Sequence, residues 1–141
     1  MRTDHVVALI SKIRERANAR IVAELARRGH PGLAPSHGAI LERLYTLGPL
    51  AMGTLAERID RKKNTVTVLV KKLEEAGYVR RTSSPSDSRV AFIALTKKGE
   101  DFRKDFMEVS EKLLCSVFGD MEQSQRETLV AGLERVLANL R

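Results

Sequence analysis

A run of helical length, Asn64 to Ala76, sorts its side chains by chemistry. At about 100° per residue, Leu69, Val70 and Leu73 fall within about 60° of Val66 and form an apolar side. Asn64, Val68 and Lys71 point the other way, with Thr65, Thr67 and Lys72 on the flanks. An amide, hydroxyls, a small apolar group and cations are what base edges accept in a major groove. Asn pairs with adenine through two atoms, Thr and Val meet a thymine methyl, and Lys reaches guanine or phosphate. Arg61, Lys62 and Lys63 lie just before the run. There the helix dipole and free N–H groups favour phosphate, so these three read as phosphate clamps. Farther on, Asp87-Ser-Arg89 ends a Ser-, Pro- and Asp-rich tip. Arg89 suits a narrow minor groove, where A·T tracts concentrate negative potential. Asp87 can hold a neighbouring arginine through two parallel bonds, with Arg80 and Arg81 as partners or phosphate contacts. Taken singly, each piece is also compatible with a solvated helix face or an exposed ion pair worth little.

The elements that would position these groups follow from periodicity and punctuation. A short helix, Met52 to Ile59, leads through the basic turn Asp60 to Lys63 into the second helix, which Gly77 stops. A hairpin follows, with Tyr78 to Thr82 going out, a tip at Ser83 to Arg89, and Val90 to Leu95 returning. Upstream, Val6, Ile10, Ile13, Ala17 and Ile21 set a helix from about Asp4 to Arg28, with Asp4 as its cap and Gly29 at its end. A helix from Ser36 to Thr46 buries Ile40, Leu41 and Leu44, and Gly48-Pro49 breaks it. Downstream, Thr96 caps a long helix to about Phe118 with two apolar stripes, one through Phe102, Phe106 and Val109, the other through Met107, Leu114 and Phe118. Two stripes mean two covered sides, one of them on a second chain. Ser124-Gln-Arg-Glu127 reads as a capping box for a last helix carrying Leu129, Leu133, Val136, Leu137 and Leu140. The expected fold is mainly α with a small β-hairpin wing. It divides into an N-terminal dimerisation helix (1–34), a winged helix-turn-helix (35–99) and C-terminal dimerisation helices (100–141).

Charge agrees with this division. The 141 residues carry a formal charge of +7, and Leu50 to Gly99 holds 11 Lys and Arg against 5 Asp and Glu. Six of the seven excess charges therefore sit in the middle module, which points to a polyanion partner. The single cysteine, Cys115, allows no intrachain disulfide. No apolar run approaches the ~20 residues of a membrane span, and the N-terminus lacks the apolar core of a signal peptide. A cytoplasmic protein without a membrane partner is expected. No Gly-rich phosphate loop, His-Glu-x-x-His or Gly-x-Ser-x-Gly occurs, so no enzyme, metal site or cofactor is expected.

The chain resembles the MarR family of bacterial transcription regulators. The resemblance runs through Leu33-Ala-Pro-Ser-His-Gly-Ala-Ile-Leu41, Leu55-Ala-Glu-Arg-Ile59, Asn64-Thr-Val-Thr-Val-Leu-Val70, Leu73-Glu-Glu-Ala-Gly-Tyr-Val-Arg80, Asp87-Ser-Arg89 and Leu95-Thr-Lys-Lys-Gly99. It implies a homodimer whose two recognition helices, about Lys62 to Ala76, enter successive major grooves of a pseudo-palindromic double-stranded DNA operator. It also implies wings reaching flanking minor grooves through Arg89, with Asp87 orienting them. Many members carry a second basic residue where this chain has Ser88, so each wing here is one charge poorer. The family commonly represses genes and lets go of DNA when a small aromatic or phenolic effector enters a cleft between dimer and DNA-binding regions. Arg14, His30, Ser36 and His37 are the residues that would border such a cleft, or they are ordinary polar groups near helix ends. Two alternatives remain open: a winged-helix protein-interaction module, and a redox-responsive regulator acting through Cys115.

Overall fold

The computed structural model describes all residues, 1–141. The chain begins with α1 (Val6–Arg27), whose only buried side chain is Leu25. Asp4 does not cap it: its carboxylate is taken by the Arg2 guanidinium at 2.6 Å, and His5 occupies the cap position without a side-chain bond. At the other end the His30 N–H donates to the Leu25 carbonyl and the Gly29 N–H to Ala26, closing the last turn.

Next comes α2 (Pro35–Leu47), one residue longer at each end than anticipated, with Ile40, Leu41 and Leu44 buried as the spacing required. Pro35 fits the first turn because its missing N–H would have had no partner there. Then follow β1 (Leu50–Ala51), α3 (Met52–Arg58) and α4 (Lys63–Glu75). Val66, Val70 and Leu73 of α4 are sealed against Leu55 and Ala56 of α3 and the apolar side of α2, while Leu69 is half-buried. Burying each such side chain is worth about 1.5–3 kcal/mol, which makes this three-helix junction the stabilising centre of the middle module.

The hairpin forms as β2 (Val79–Ser83) and β3 (Ala91–Leu95), in antiparallel register from Val79 opposite Leu95 to Ser83 opposite Ala91. It is not alone. Leu50 and Ala51 pair with Ile93 and Phe92, which makes a three-stranded sheet in the order β1-β3-β2. A two-residue strand has no alternation for sequence reasoning to detect.

Thr96 caps the next helix as expected, its hydroxyl accepting the Gly99 N–H. The single long helix anticipated after it is two, α5 (Lys97–Asp101) and α6 (Arg103–Phe118). The interruption is Phe102, whose ring is buried edge-on against His30 and Tyr78. Last comes α7 (Gln123–Asn139). Its box is not Ser124 with Glu127 but lies two residues earlier, where Gln125 Oε1 accepts the Glu122 N–H at 2.9 Å. Arg126 fixes that entry by donating to the Met121 carbonyl, which moves the helix start ahead of Ser124.

The two ends of the chain are only half used. α7 buries no residue, and Ile13, Met107, Leu114, Leu137 and Leu140 are each at least half exposed. Where α1 and α6 do meet, ions hold them: Arg28 reaches Asp105 and Glu108, and Lys112 reaches Glu24. Arg27, then Arg28 and Lys112, holds the Glu24 carboxyl down at about 2. No helix is long and apolar enough to cross a membrane.

Candidate nucleic-acid interface

The turn between α3 and α4 aims the basic residues. Asp60 stands in the left-handed region at φ 54°, and the Arg61 N–H donates to the Ala56 carbonyl at 3.0 Å. Asp tolerates that conformation better than most non-glycine residues. The chain therefore turns sharply at Asp60 and presents Arg61, Lys62 and Lys63, all exposed, at the start of α4.

On α4 itself, Asn64, Thr65, Thr67, Val68 and Lys71 are all exposed, opposite the sealed side. Val68 is 69 % exposed, an apolar residue held in water on a polar face. Thr67 spends its hydroxyl proton on the Lys63 carbonyl at 2.9 Å, so its methyl and its lone pairs are what remain to offer. Lys72 leans back against Gly32 and is not part of this face.

The far end of α4 is clamped. Gly77 sits at φ 88°, where the Tyr78 N–H closes back onto the Leu73 carbonyl at 2.9 Å. The Thr96 hydroxyl donates to the Gly77 carbonyl and Lys98 to that of Ala76, while the Thr96 N–H donates to Tyr78 O. A Cβ at Gly99 would collide with the Tyr78 carbonyl, so this crossing requires glycine. The Tyr45 hydroxyl then donates to Gly99 O at 2.6 Å, and burial pushes that phenol up. These bonds fix the angle between α4 and the hairpin, and none is visible as local sequence periodicity.

In the hairpin, Arg80 and Arg81 part company, as neighbours on a strand must. Arg81 stands beside Lys63, Thr67, Arg89 and Val90 around a recess of about 270 Å³ between α4 and the wing. It pairs loosely with Glu74 at 3.8 Å. Arg80 lies on the other face with Tyr45, Glu100 and Arg103, so it does not join this surface. The recess is bordered by three cations and no acid. At the wing, Asp87 accepts from Arg89 itself rather than from Arg80 or Arg81, through the backbone N–H and through the guanidinium on both carboxylate oxygens. The backbone bond first, then the side-chain bonds, holds the Asp87 carboxyl below its usual range. Arg89 stays 89 % exposed.

This surface pairs an outward amide–hydroxyl–valine–lysine face with a cationic recess and an extended arginine-tipped wing. A model of the MarR family matches residues 33–91, the stretch that builds all three.

Over residues 33–91 the chain is of MarR type.

Among the chain's relatives is the HTH-type transcriptional regulator MhqR of Bacillus subtilis, 29 % identical over 108 residues, which are 77 % of this chain and 74 % of that protein. The structure of an S. aureus MepR–DNA complex superposes with a TM-score of 0.86 at 20 % identity over the whole of both chains. A structure of Bordetella bronchiseptica BpsR, described for regulation of its DNA binding by 6-hydroxynicotinic acid, superposes with a TM-score of 0.81 at 18 % identity, covering 94 % of this chain and 93 % of that one. At those identities the two structures share the fold.

The four residues expected around an effector cleft separate. Arg14 and Ser36 do face one groove between α1 and α2, together with Asn18, Ile59, Arg61 and Leu69. His30 does not: its Nδ1 is 2.7 Å from the Tyr78 hydroxyl and its Nε2 is 3.0 Å from Asp105, a bridge between the α1 end, β2 and α6. That contact with His30, ahead of Arg28, holds the Asp105 carboxyl low. Nor does His37 open to a cleft. It is 5 % exposed, its Nδ1 accepts the Ala34 N–H at 3.1 Å, and its Nε2 has no partner. Burial, then the charge of Lys72, pulls its pKa down. Both histidines lie at helix ends, where a ring nitrogen can satisfy a backbone or side-chain group that periodicity does not reveal. Cys115 is exposed on α6. No group of three or more His, Cys, Asp and Glu is arranged to hold a metal.

Proposed function

We propose that this chain is a homodimeric transcription repressor of MarR type that binds a pseudo-palindromic operator in double-stranded DNA and releases it when a small ligand binds. The observation that carries this reading is the three-cation recess of Lys63, Arg81 and Arg89 beside the exposed face of α4. A phosphate seated there would set α4 at the groove with Asn64, Thr65, Val68 and Lys71 toward the bases. Phosphate contacts of that kind position a protein, and base contacts then specify the sequence. The exposed apolar faces of α1, α6 and α7 support pairing through the chain ends, with residues 1–34 and 100–141 as the dimer layer and 35–99 as the reader. Two readers would then lie about one helical turn of DNA apart, roughly 34 Å. Its action is binding rather than catalysis, in the cytoplasm where DNA is reached.

The test is titration of a labelled fragment from upstream of its own gene. Affinity below micromolar that falls steeply with salt and survives competitor duplex is the expected result. Equal binding to random duplex would remove the sequence-specific claim.

A further inference from the structure

The two ends of the chain, 1–34 and 100–141, share one apolar core with residues 35–99. Leu25, Leu33, Phe102 and Val109 belong to the same buried cluster as Ile40, Leu41 and Leu44. Apolar contact is non-directional, so it holds the parts together without fixing the angle between them. Directional contacts across this boundary are few. Every ion pair lies wholly within the ends or wholly within the middle. The Arg103 guanidinium stands 5.4 Å from the centre of the Tyr45 ring, a contact of loose direction. Apart from Ala34 and His37, near neighbours in the chain, one side-chain hydrogen bond crosses: His30 Nδ1 to the Tyr78 hydroxyl at 2.7 Å.

Both ends of that bond are anchored. His30 and Arg28 keep Asp105 a carboxylate, so His30 Nε2 donates to it at 3.0 Å. Nδ1 is then left with a lone pair, which accepts the Tyr78 O–H. Arg28 donates to the same carboxylate at 3.1 Å and also to Glu108 and Glu24, which ties the bridge to α6 and α1 together. The His30 ring is packed edge-on to Phe102, with centroids 4.4 Å apart. On the other side, the Tyr78 N–H closes the end of α4 on Leu73 O, and its carbonyl accepts the Thr96 N–H at the foot of the hairpin. We propose that His30 is a positioning residue: through Tyr78 it sets the angle at which α4 and the wing stand on the layer of α1 and α6. The consequence for DNA rests on the reading of the chain as a dimeric operator-binding regulator. In a dimer the distance between the two copies of α4 follows from that angle, so His30 selects half-site spacing without touching DNA.

Two nitroxide labels read the angle in the full chain without DNA. One sits on Cys115, the exposed thiol of α6, and the other on Val68→Cys at the exposed face of α4. Diluting labelled chain into an excess of unlabelled chain leaves the distance within one protomer, measured by double electron–electron resonance. Tyr78→Phe keeps the ring against Phe102 and Lys98 and removes only the bond, whereas His30→Ala removes the whole bridge. Both are expected to broaden the distance distribution about 2-fold. Circular dichroism melting checks that each variant is folded; a merely structural role would lower the melting temperature and leave the width unchanged. Unchanged widths in both variants overturn the assignment, and because no DNA is present they do so whether or not the chain binds an operator. On operators with half-sites moved apart or together by single base pairs, preference for the best spacing is expected to fall about 3- to 10-fold in Tyr78→Phe, the range one hydrogen bond supplies. A broadened distribution with that preference intact overturns the link to DNA. Parent chain that shows no preference among duplexes fails the operator reading and leaves the distance result standing.

Discussion

Asp87 accepts the backbone N–H of Arg89 at 3.0 Å and the Nε of the same residue at 3.2 Å, so one carboxylate fixes both the main chain and the side chain of the wing arginine. The pair is exposed and adds little to stability, since solvent screens it. Its value is in aiming. Arg89→Ala is expected to weaken operator binding by about 10- to 100-fold, and to lower the salt slope by about 2 per dimer as two contacts are lost. Asp87→Ala leaves the Arg89 guanidinium charged but frees its direction, and the acid it removes is one that DNA repels, so a smaller loss, about 3- to 10-fold, is expected. Fluorescence anisotropy across a salt series measures both. An Arg89→Ala protein that binds normally would remove the wing from the interface.

The two faces of α4 make opposite predictions. Leu73 is fully buried, and Leu73→Ala is expected to cost about 2–5 kcal/mol in urea unfolding. Asn64 is exposed, so Asn64→Ala is expected to change stability by no more than about 0.5 kcal/mol. The same substitution is expected to relax base preference at one operator position in each half-site by about 1–3 kcal/mol. Binding to a panel of single-base operator variants reads that loss. Unaltered discrimination would take Asn64 off the reading face.

Truncation after Phe118 removes α7, which buries nothing within its own chain. If its apolar face belongs to a dimer, the shortened protein is expected to sediment as a monomer or to aggregate. A truncated chain that stays a stable dimer at micromolar concentration would show that α1 and α6 suffice.

His37 makes the protein sensitive to mild acid. Its folded pKa lies below the unfolded value of 6.5, by burial and then by Lys72, so the unfolded chain binds this proton more readily. Its contribution is full above pH 6.5 and is lost as pH falls below that, with a limiting slope of about 1.4 kcal/mol per pH unit. Protonation at Nδ1 would also break the bond from the Ala34 N–H. Unfolding free energies from pH 7.5 to 5 are expected to slope less in His37→Asn, which can still accept at the helix start. Parallel slopes would discharge His37 from this role. The carboxylates held low here, Glu24, Asp87 and Asp105, lose their contributions in stronger acid, since each is depressed below its ordinary value of 4.5 or 3.8.

The sorted faces of α4 were legible because a 3.6-residue period is a local property: Val66, Val70 and Leu73 have to share a side whatever they pack on. The same holds for the stops at Gly29, Gly48 and Gly77, and for the Thr96 cap, which need only the next few residues. Strand alternation already required Arg80 and Arg81 to face apart, but it could not say which face meets α4. Spacing also could not place His30 on Tyr78 and Asp105, because those partners are brought up by the fold; the His37 bond to Ala34 is local, and only its burial needs the fold.

By itself, then, the sequence determined the periodic helices, the hairpin, the basic block from Leu50 to Gly99 and the surplus of apolar faces at the ends. Tertiary structure alone decided the third strand at Leu50, the break at Phe102, the three cations gathered between wing and helix, and the meeting of Arg14 with Arg61. The physical reason is range. Helix periodicity and capping are set by neighbours within about four residues, whereas a recess or a cleft exists only after the core has closed and carried distant residues to within a few ångströms of one another.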